Sequence, residues 1–134
     1  MQHVSIDLSR KWRSAQWVRT RLLEDEELSA RIGQRIYPVI APETDGSYII
    51  VYRSGYGRER SKREEYRNTC YVEVVIFSDS YDESLSLAEI VDRVLDNGQP
   101  EIKVFEEDAL AILDSSEEGY TDSKFYQQLS FEIK

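Results

Sequence analysis

Asp79, Asp82 and Glu89 are the residues of this sequence whose type and spacing come nearest to a catalytic set. Metal-dependent hydrolysis needs carboxylates that converge on one cation, which then polarises the substrate and activates a water. A hydrolase with this acidic site is therefore one reading. The other is that these groups cap a helix, pair with its dipole and face solvent. The second is preferred, because no distinctive motif surrounds the three residues. The acidic runs Glu106-Glu-Asp108 and Glu117-Glu118 read the same way, the latter as part of a turn over 117–120.

The other chemistry-bearing types are scarce. The single His, His3, could act as a base near neutral pH, but it lies in a terminal segment with no Ser or Cys motif aimed at it. The single Cys, Cys70, sits near Arg67, and a basic neighbour is what an activated thiolate requires. A small buried hydrophobe is the plainer expectation for it. One His and one Cys build neither an ordinary zinc site nor an intrachain disulfide, and a lone Cys fits a reducing compartment. Gly55-Tyr-Gly57 lacks a third glycine and opens no helix, so no dinucleotide fingerprint is present, and there is no P-loop. No catalytic residue, metal or cofactor is expected.

Charge is more informative. The 134 residues carry 17 basic and 26 acidic side chains, a net charge of -9. Phosphate neutralisation needs a positive surface, so wholesale nucleic-acid binding is disfavoured. Tyr48, Tyr52 and Tyr71 could stack bases from a sheet face, but the acidic background favours core or interface packing. Residues 53–67 run against this background. Arg53, Arg58, Arg60, Lys62, Arg63 and Arg67 oppose Glu59, Glu64 and Glu65, giving +3 locally and leaving -12 elsewhere. Such a segment is either a solvated hairpin tip or an arm that reaches an acidic surface, including that of a second copy. Tyr56, Arg58, Arg60, Lys62 and Arg63 are its candidate assembly residues. A basic arm on an acidic flank is a heterologous contact, which closes into a ring where the rotation allows.

The elements that position these residues follow from periodicity. Leu8, Trp12, Ala15, Val18, Leu22 and Leu23 recur at helical steps, predicting a helix over 8–23. A short helix over 25–31 follows, with Leu28 and Ile32 inward and Gly33 at its C-terminal stop. Pro38 and Pro42 mark 36–40 as an edge segment. Residues 47–53 predict a strand apolar on both faces, hence well inside a sheet. Residues 54–65 form a long hairpin arm, and 66–78 the clearest strand, pairing with the first. Ser80-Tyr-Asp-Glu83 is a capping box ahead of the stripe Leu87, Ile90, Val91, Val94 and Leu95, and Asn97-Gly98 with Pro100 stops that helix. Short strands over 102–105 and 110–113 and an alternating strand over 125–134 complete the chain. The fold class is α+β: a mostly antiparallel sheet of four or five strands, two main helices on one face, and a long β-hairpin arm. No apolar run reaches the ~20 residues of a membrane helix, and no secretion signal is legible, so a cytoplasmic protein without membrane partners is expected.

Residues 22–38, Leu-Leu-Glu-Asp-Glu-Glu-Leu-Ser-Ala-Arg-Ile-Gly-Gln-Arg-Ile-Tyr-Pro, resemble the opening of the tail-completion (tail-terminator, head–tail joining) proteins of long-tailed bacteriophages and prophages. The strand Ser47-Tyr-Ile-Ile-Val-Tyr52, the hairpin, the strand 70–77, the helix 83–96 and the closing strand extend the likeness over nearly all of 1–134 as one domain. The resemblance implies a structural protein without enzymatic activity or cofactor. It would form a ring, commonly hexameric, at the head–tail junction, between tail-tube protein and head connector. Assembly would take place in the host cytoplasm, with the product carried in the virion. DNA would only pass through the hole, whose acidic wall would repel phosphate. A bacterial adaptor domain that binds a protein partner through the arm is the remaining alternative.

Overall fold

The computed structural model describes the backbone of residues 2–60, 66–96 and 110–133, and the side chains of 12–55, 70–96 and 110–133. The strand predicted over 102–105 and the acidic run 106–108 lie outside the described residues, as do Lys62 and Arg63.

Helical spacing is met by α1 (Gln2–Leu23), which starts earlier than the sequence pattern predicts. Val18 and Leu22 are fully buried on its inner face. Trp12, read as part of that stripe, is 63% exposed instead, with the Arg53 guanidinium 4.6 Å from its ring centroid. Helix α2 (Glu26–Ile32) is capped by Asp25, whose carboxylate accepts the Leu28 N–H at 2.9 Å. Gly33 ends it at φ 60, a backbone conformation that glycine takes without the Cβ penalty.

Strand β1 (Ile36–Pro38) is a three-residue edge, as its proline predicts, and runs parallel to β2 (Tyr48–Arg60). β2 is antiparallel to β3 (Tyr66–Ser78), so the arm is a two-stranded ribbon, bulged at its base, as far as Arg60 opposite Tyr66. Helix α3 (Tyr81–Leu95) follows. Half of its capping box forms as predicted: Ser80 Oγ accepts the Glu83 N–H at 3.3 Å. The reciprocal half does not. The Ser80 N–H goes to Ser78 Oγ, and Glu83 accepts from that same hydroxyl.

The C-terminal half corrects the sequence reading in one place. β4 is not a short strand ending near 113 but runs Ala111–Thr121, through the segment assigned to a turn. The turn falls at Asp122 and Ser123, both at positive φ, and returns the chain into β5 (Lys124–Ile133). The sheet order is β1-β2-β3-β5-β4, mixed at β1 and otherwise antiparallel.

All three helices lie on one face. Their side of the sheet presents Ile36, Ile49, Val51, Val72, Val74, Ile76, Leu129, Phe131 and Ile133 to Val18, Leu22, Leu28, Leu87, Val91 and Leu95, all at most 4% exposed. Cys70 belongs to this core, as expected of a small buried hydrophobe.

The last turn of α3 holds one misplaced charge. Burial first, and then the nearby Asp96 carboxylate, raise the Asp92 pKa above its ordinary value. A carboxylate at a helix C-terminus also opposes the dipole. An acid raised in the folded state destabilises the fold when ionised. That penalty is absent below its unfolded pKa and grows as pH rises through the folded one. Asp92→Asn should therefore stabilise the protein at pH 7 by about 0.5 kcal/mol, a figure kept small by solvent screening. Urea titrations at pH 7 and near pH 3 should show the gain at the first and lose it at the second.

Candidate assembly surface

The carboxylates considered for a metal site do not converge. Asp79 precedes α3 and forms an ion pair with Lys124 Nζ at 3.0 Å. Asp82 lies in the first turn of α3, and Glu89 stands two turns further on, about 10 Å along the axis. Among the described residues, no group of three His, Cys, Asp or Glu is placed to hold a metal ion.

The candidate arm residues divide. Tyr56, Arg58 and Arg60 occupy alternate positions of β2, registered against Cys70, Asn68 and Tyr66 of β3. At the base of the arm a bulge inserts Ser54 between Arg53, opposite Val72, and Gly55, opposite Tyr71. Bulges of this kind bend and twist a ribbon. This one also has a specific partner, because Ser54 Oγ donates to Glu73 Oε2 at 2.6 Å.

The feature that sequence reasoning missed is the helix-free face of the sheet. Tyr48, Ile50 and Tyr52 alternate with the core residues of β2, which reads as a strand buried on both sides. β2 is indeed interior to the sheet, but among the described residues no second layer covers this face. Three cross-strand rows result. The first is aromatic: Tyr48, Phe77 and Tyr126 stand in register. Tyr48 and Phe77 stack at 5.0 Å and 21°, and Phe77 and Tyr126 tilt together at 6.3 Å. Tyr37 extends the row on β1, 6.4 Å from Tyr48. Gly119 closes it on β4, where an added Cβ would come within 2.6 Å of the Tyr126 hydroxyl. The second row is Ile50, Val75 and Gln128. The third is polar and centres on Glu73, which accepts from Ser54, from Ser130 Oγ at 2.8 Å and from Gln128 Nε2 at 3.2 Å.

A shallow groove of about 400 Å³ runs between Val39, Ile50, Tyr52, Val75, Phe77 and Tyr126. Beside it, at the β1 edge, a second cleft of about 590 Å³ is lined by Trp12, Ala15, Arg19, Pro38, Val39 and Arg53. Val39 and Ile40 are 71% and 77% exposed between them. The Ile40 N–H reaches back to Pro38 O at 2.6 Å across Val39, held at φ 65. A β-branched residue at positive φ is strained, and this tight turn carries the chain away from the sheet directly after β1. Tyr52, at the groove wall, has its phenol pKa raised by burial and then by the charges of Glu73 and Glu117. Tyr81, across the sheet at the α3 start, is raised by its hydrogen bond to Glu118. Apolar and aromatic surface of this kind recognises partners by burial. The sequence signal for it was the pair Tyr48 and Tyr52 flanking Ile50 on the second face of β2.

No helix among the described residues is long and apolar enough to cross a membrane. No protein-family model matches the chain. No curated protein matches it either. Among solved structures, it is similar to a chain of one described as "Virion of native gene transfer agent (GTA) particle". The TM-score is 0.65 at 14% identity, over 93% of this chain and 94% of the other. The likeness is one of fold.

Proposed function

We propose that this chain is a structural protein of a phage or phage-like particle, one tail-completion domain over 1–134, and not an enzyme. It assembles into a ring at the head–tail junction, stops tube growth by covering the last tube ring, and presents its other side to the head connector. The observation that carries this reading is the near-complete fold likeness to a chain of a virion particle. Support comes from a wide uncovered aromatic sheet face, which suits a protein that works by burial against neighbours. The candidate carboxylates, spread along and ahead of α3, support a non-catalytic role. Subunits would be made in the host cytoplasm and carried in the virion tail, with DNA passing through the hole without being held.

The arm residues Tyr56, Arg58, Arg60, Lys62 and Arg63 are the assembly contacts in this reading. Opposite charge would set their orientation and partner choice, and apolar burial the affinity. Arg58→Glu, Arg60→Glu and Arg63→Glu combined should keep the circular dichroism spectrum and melting temperature of the parent. Assembly, read by light scattering and negative-stain images with tail-tube protein present, should weaken about tenfold or more. A parent chain that stays monomeric and binds neither tube nor connector would refute the proposal.

A further inference from the structure

The sheet has two open edges among the described residues, and they differ in charge. β1 is registered only against residues 49–51 of β2, and the turn at Val39 then leads the chain away. From Tyr52 to Arg60, β2 is paired, among the described residues, on the β3 side alone. This stretch carries Arg53, Arg58 and Arg60 against Glu59. At the far side of the sheet, among the described residues, β4 is the last strand and pairs with β5 alone, while near its start the Leu113 N–H donates to Asp96 Oδ2 at 2.7 Å, so its open stretch begins at Asp114. Its 11 residues include Asp114, Glu117 and Glu118 and no basic residue. Asp114 to Glu118 are all exposed.

We infer that the joint between copies is a strand addition: the outer edge of β4 in one copy pairs with the 52–60 edge of β2 in the next. This rests on the ring reading above and names the surfaces that build it. Three features of the molecule select this joint. An unpaired edge is a row of unmet amides and carbonyls that templates another strand. Charge excludes the two symmetric alternatives, because β4 on β4 would oppose acids to acids and β2 on β2 would oppose arginines to arginines. Like charges across a strand pair are destabilising, whereas the mixed joint sets opposite charges together.

Strand direction supplies the third feature. β2 and β5 run one way, β3 and β4 the other. A single rotation that carries one copy to the next, with its helices on the same side, brings β4 beside a β2 of opposite direction. The joint is therefore antiparallel, the geometry in which ladder bonds are perpendicular to the strands. Because the surfaces differ, the contact is heterologous and repeats until a ring closes. The β1 segment already occupies the first part of β2, so the added strand seats beyond Val51, along the arm.

Hydrogen exchange on the unmodified protein tests this without a variant. Comparing assembled rings with dilute subunits, amides in 52–60 and 114–121 should slow by about tenfold or more on assembly. Charge exchange provides the second arm. Arg58→Glu with Arg60→Glu, or Asp114→Lys with Glu117→Lys, should each weaken ring formation about tenfold, and the four changes combined should restore it. Rings that form with no slowing in either strand, or in which the fourfold variant assembles no better than the two double variants, overturn the strand-addition joint and leave the ring reading standing. A parent chain that makes no ring even with tail-tube protein overturns both.

Discussion

Phe131→Ala should lower the unfolding free energy by about 3–5 kcal/mol, the range for deleting a buried phenylalanine. Phe131 heads the largest fully buried side chains and is 0% exposed. It lies near the C-terminal end of β5, between Val72 on β3 and Leu113 on β4, so its ring fills the sheet side of the layer that α3 covers. Neighbours held by ladders on both sides cannot collapse into the space, and the cavity cost adds to the lost transfer energy. Domains of this size have about 5–15 kcal/mol in total, so the variant should unfold at a clearly lower urea concentration. Trp12 and Trp17, both in α1, report the transition by fluorescence. Phe125→Ala is the control. That ring is half-buried at the sheet rim against Tyr81 and Tyr120, and its loss should cost about 1 kcal/mol. Equal losses for the two would contradict the placement of the core.

What the sequence disclosed depends on whether neighbours or the segment itself decide the local structure. Helix α3 carries its own instructions, with Ser80 at the cap and apolar residues every third or fourth position, and it forms within a residue or two of expectation. β5 alternates cleanly because one of its faces packs under the helices and the other is open, and β3 declares itself by a run of β-branched residues, Val72, Val74, Val75 and Ile76. β4 does not disclose itself. Asp114-Ser-Ser-Glu-Glu118 consists of poor strand formers, and its extended form comes from the ladder that β5 offers on one side. The true turn was weakly signalled, since Asp122-Ser123 lacks the glycine that usually marks a two-residue hairpin. Residues 55–60 of β2 are extended for the same borrowed reason.

The candidate surface was legible in part. The excess of arginine at 53–67 identified the arm, because charge is a property of the sequence alone. The uncovered face was not, since period-two alternation shows that both faces of β2 are apolar but not whether a second layer exists. Nor was the acidic edge of β4, which becomes an edge only once β4 takes the last place in the sheet.

The polar row on that open face supports the second large effect. Glu73 is 7% exposed on the helix-free side, flanked in sequence by the fully buried Val72 and Val74. A carboxylate there is tolerable because three side chains donate to it: Ser54 and Ser130 through hydroxyls, and Gln128 through its amide. Removing the acceptor by Glu73→Ala strands three donors and opens a gap between β2 and β5, at a cost of about 2–3 kcal/mol. Glu73→Gln keeps one acceptor oxygen and the volume, and should lose about half as much. The bulge makes the row testable as a unit, because Ser54 exists in the ribbon as its extra residue and its hydroxyl bonds Glu73. Ser54→Ala should cost about 1 kcal/mol in the parent and close to nothing once Glu73 is alanine, a coupling that a double-mutant cycle by urea unfolding measures directly. The Tyr52 phenol gives an independent readout. Its pKa is held up by burial and, next, by the Glu73 charge, so Glu73→Gln should bring its titration down toward the ordinary tyrosine value. Additive losses in the cycle, together with an unmoved tyrosine titration, would mean that the row does not act as one network and that the bulge serves only to bend the arm.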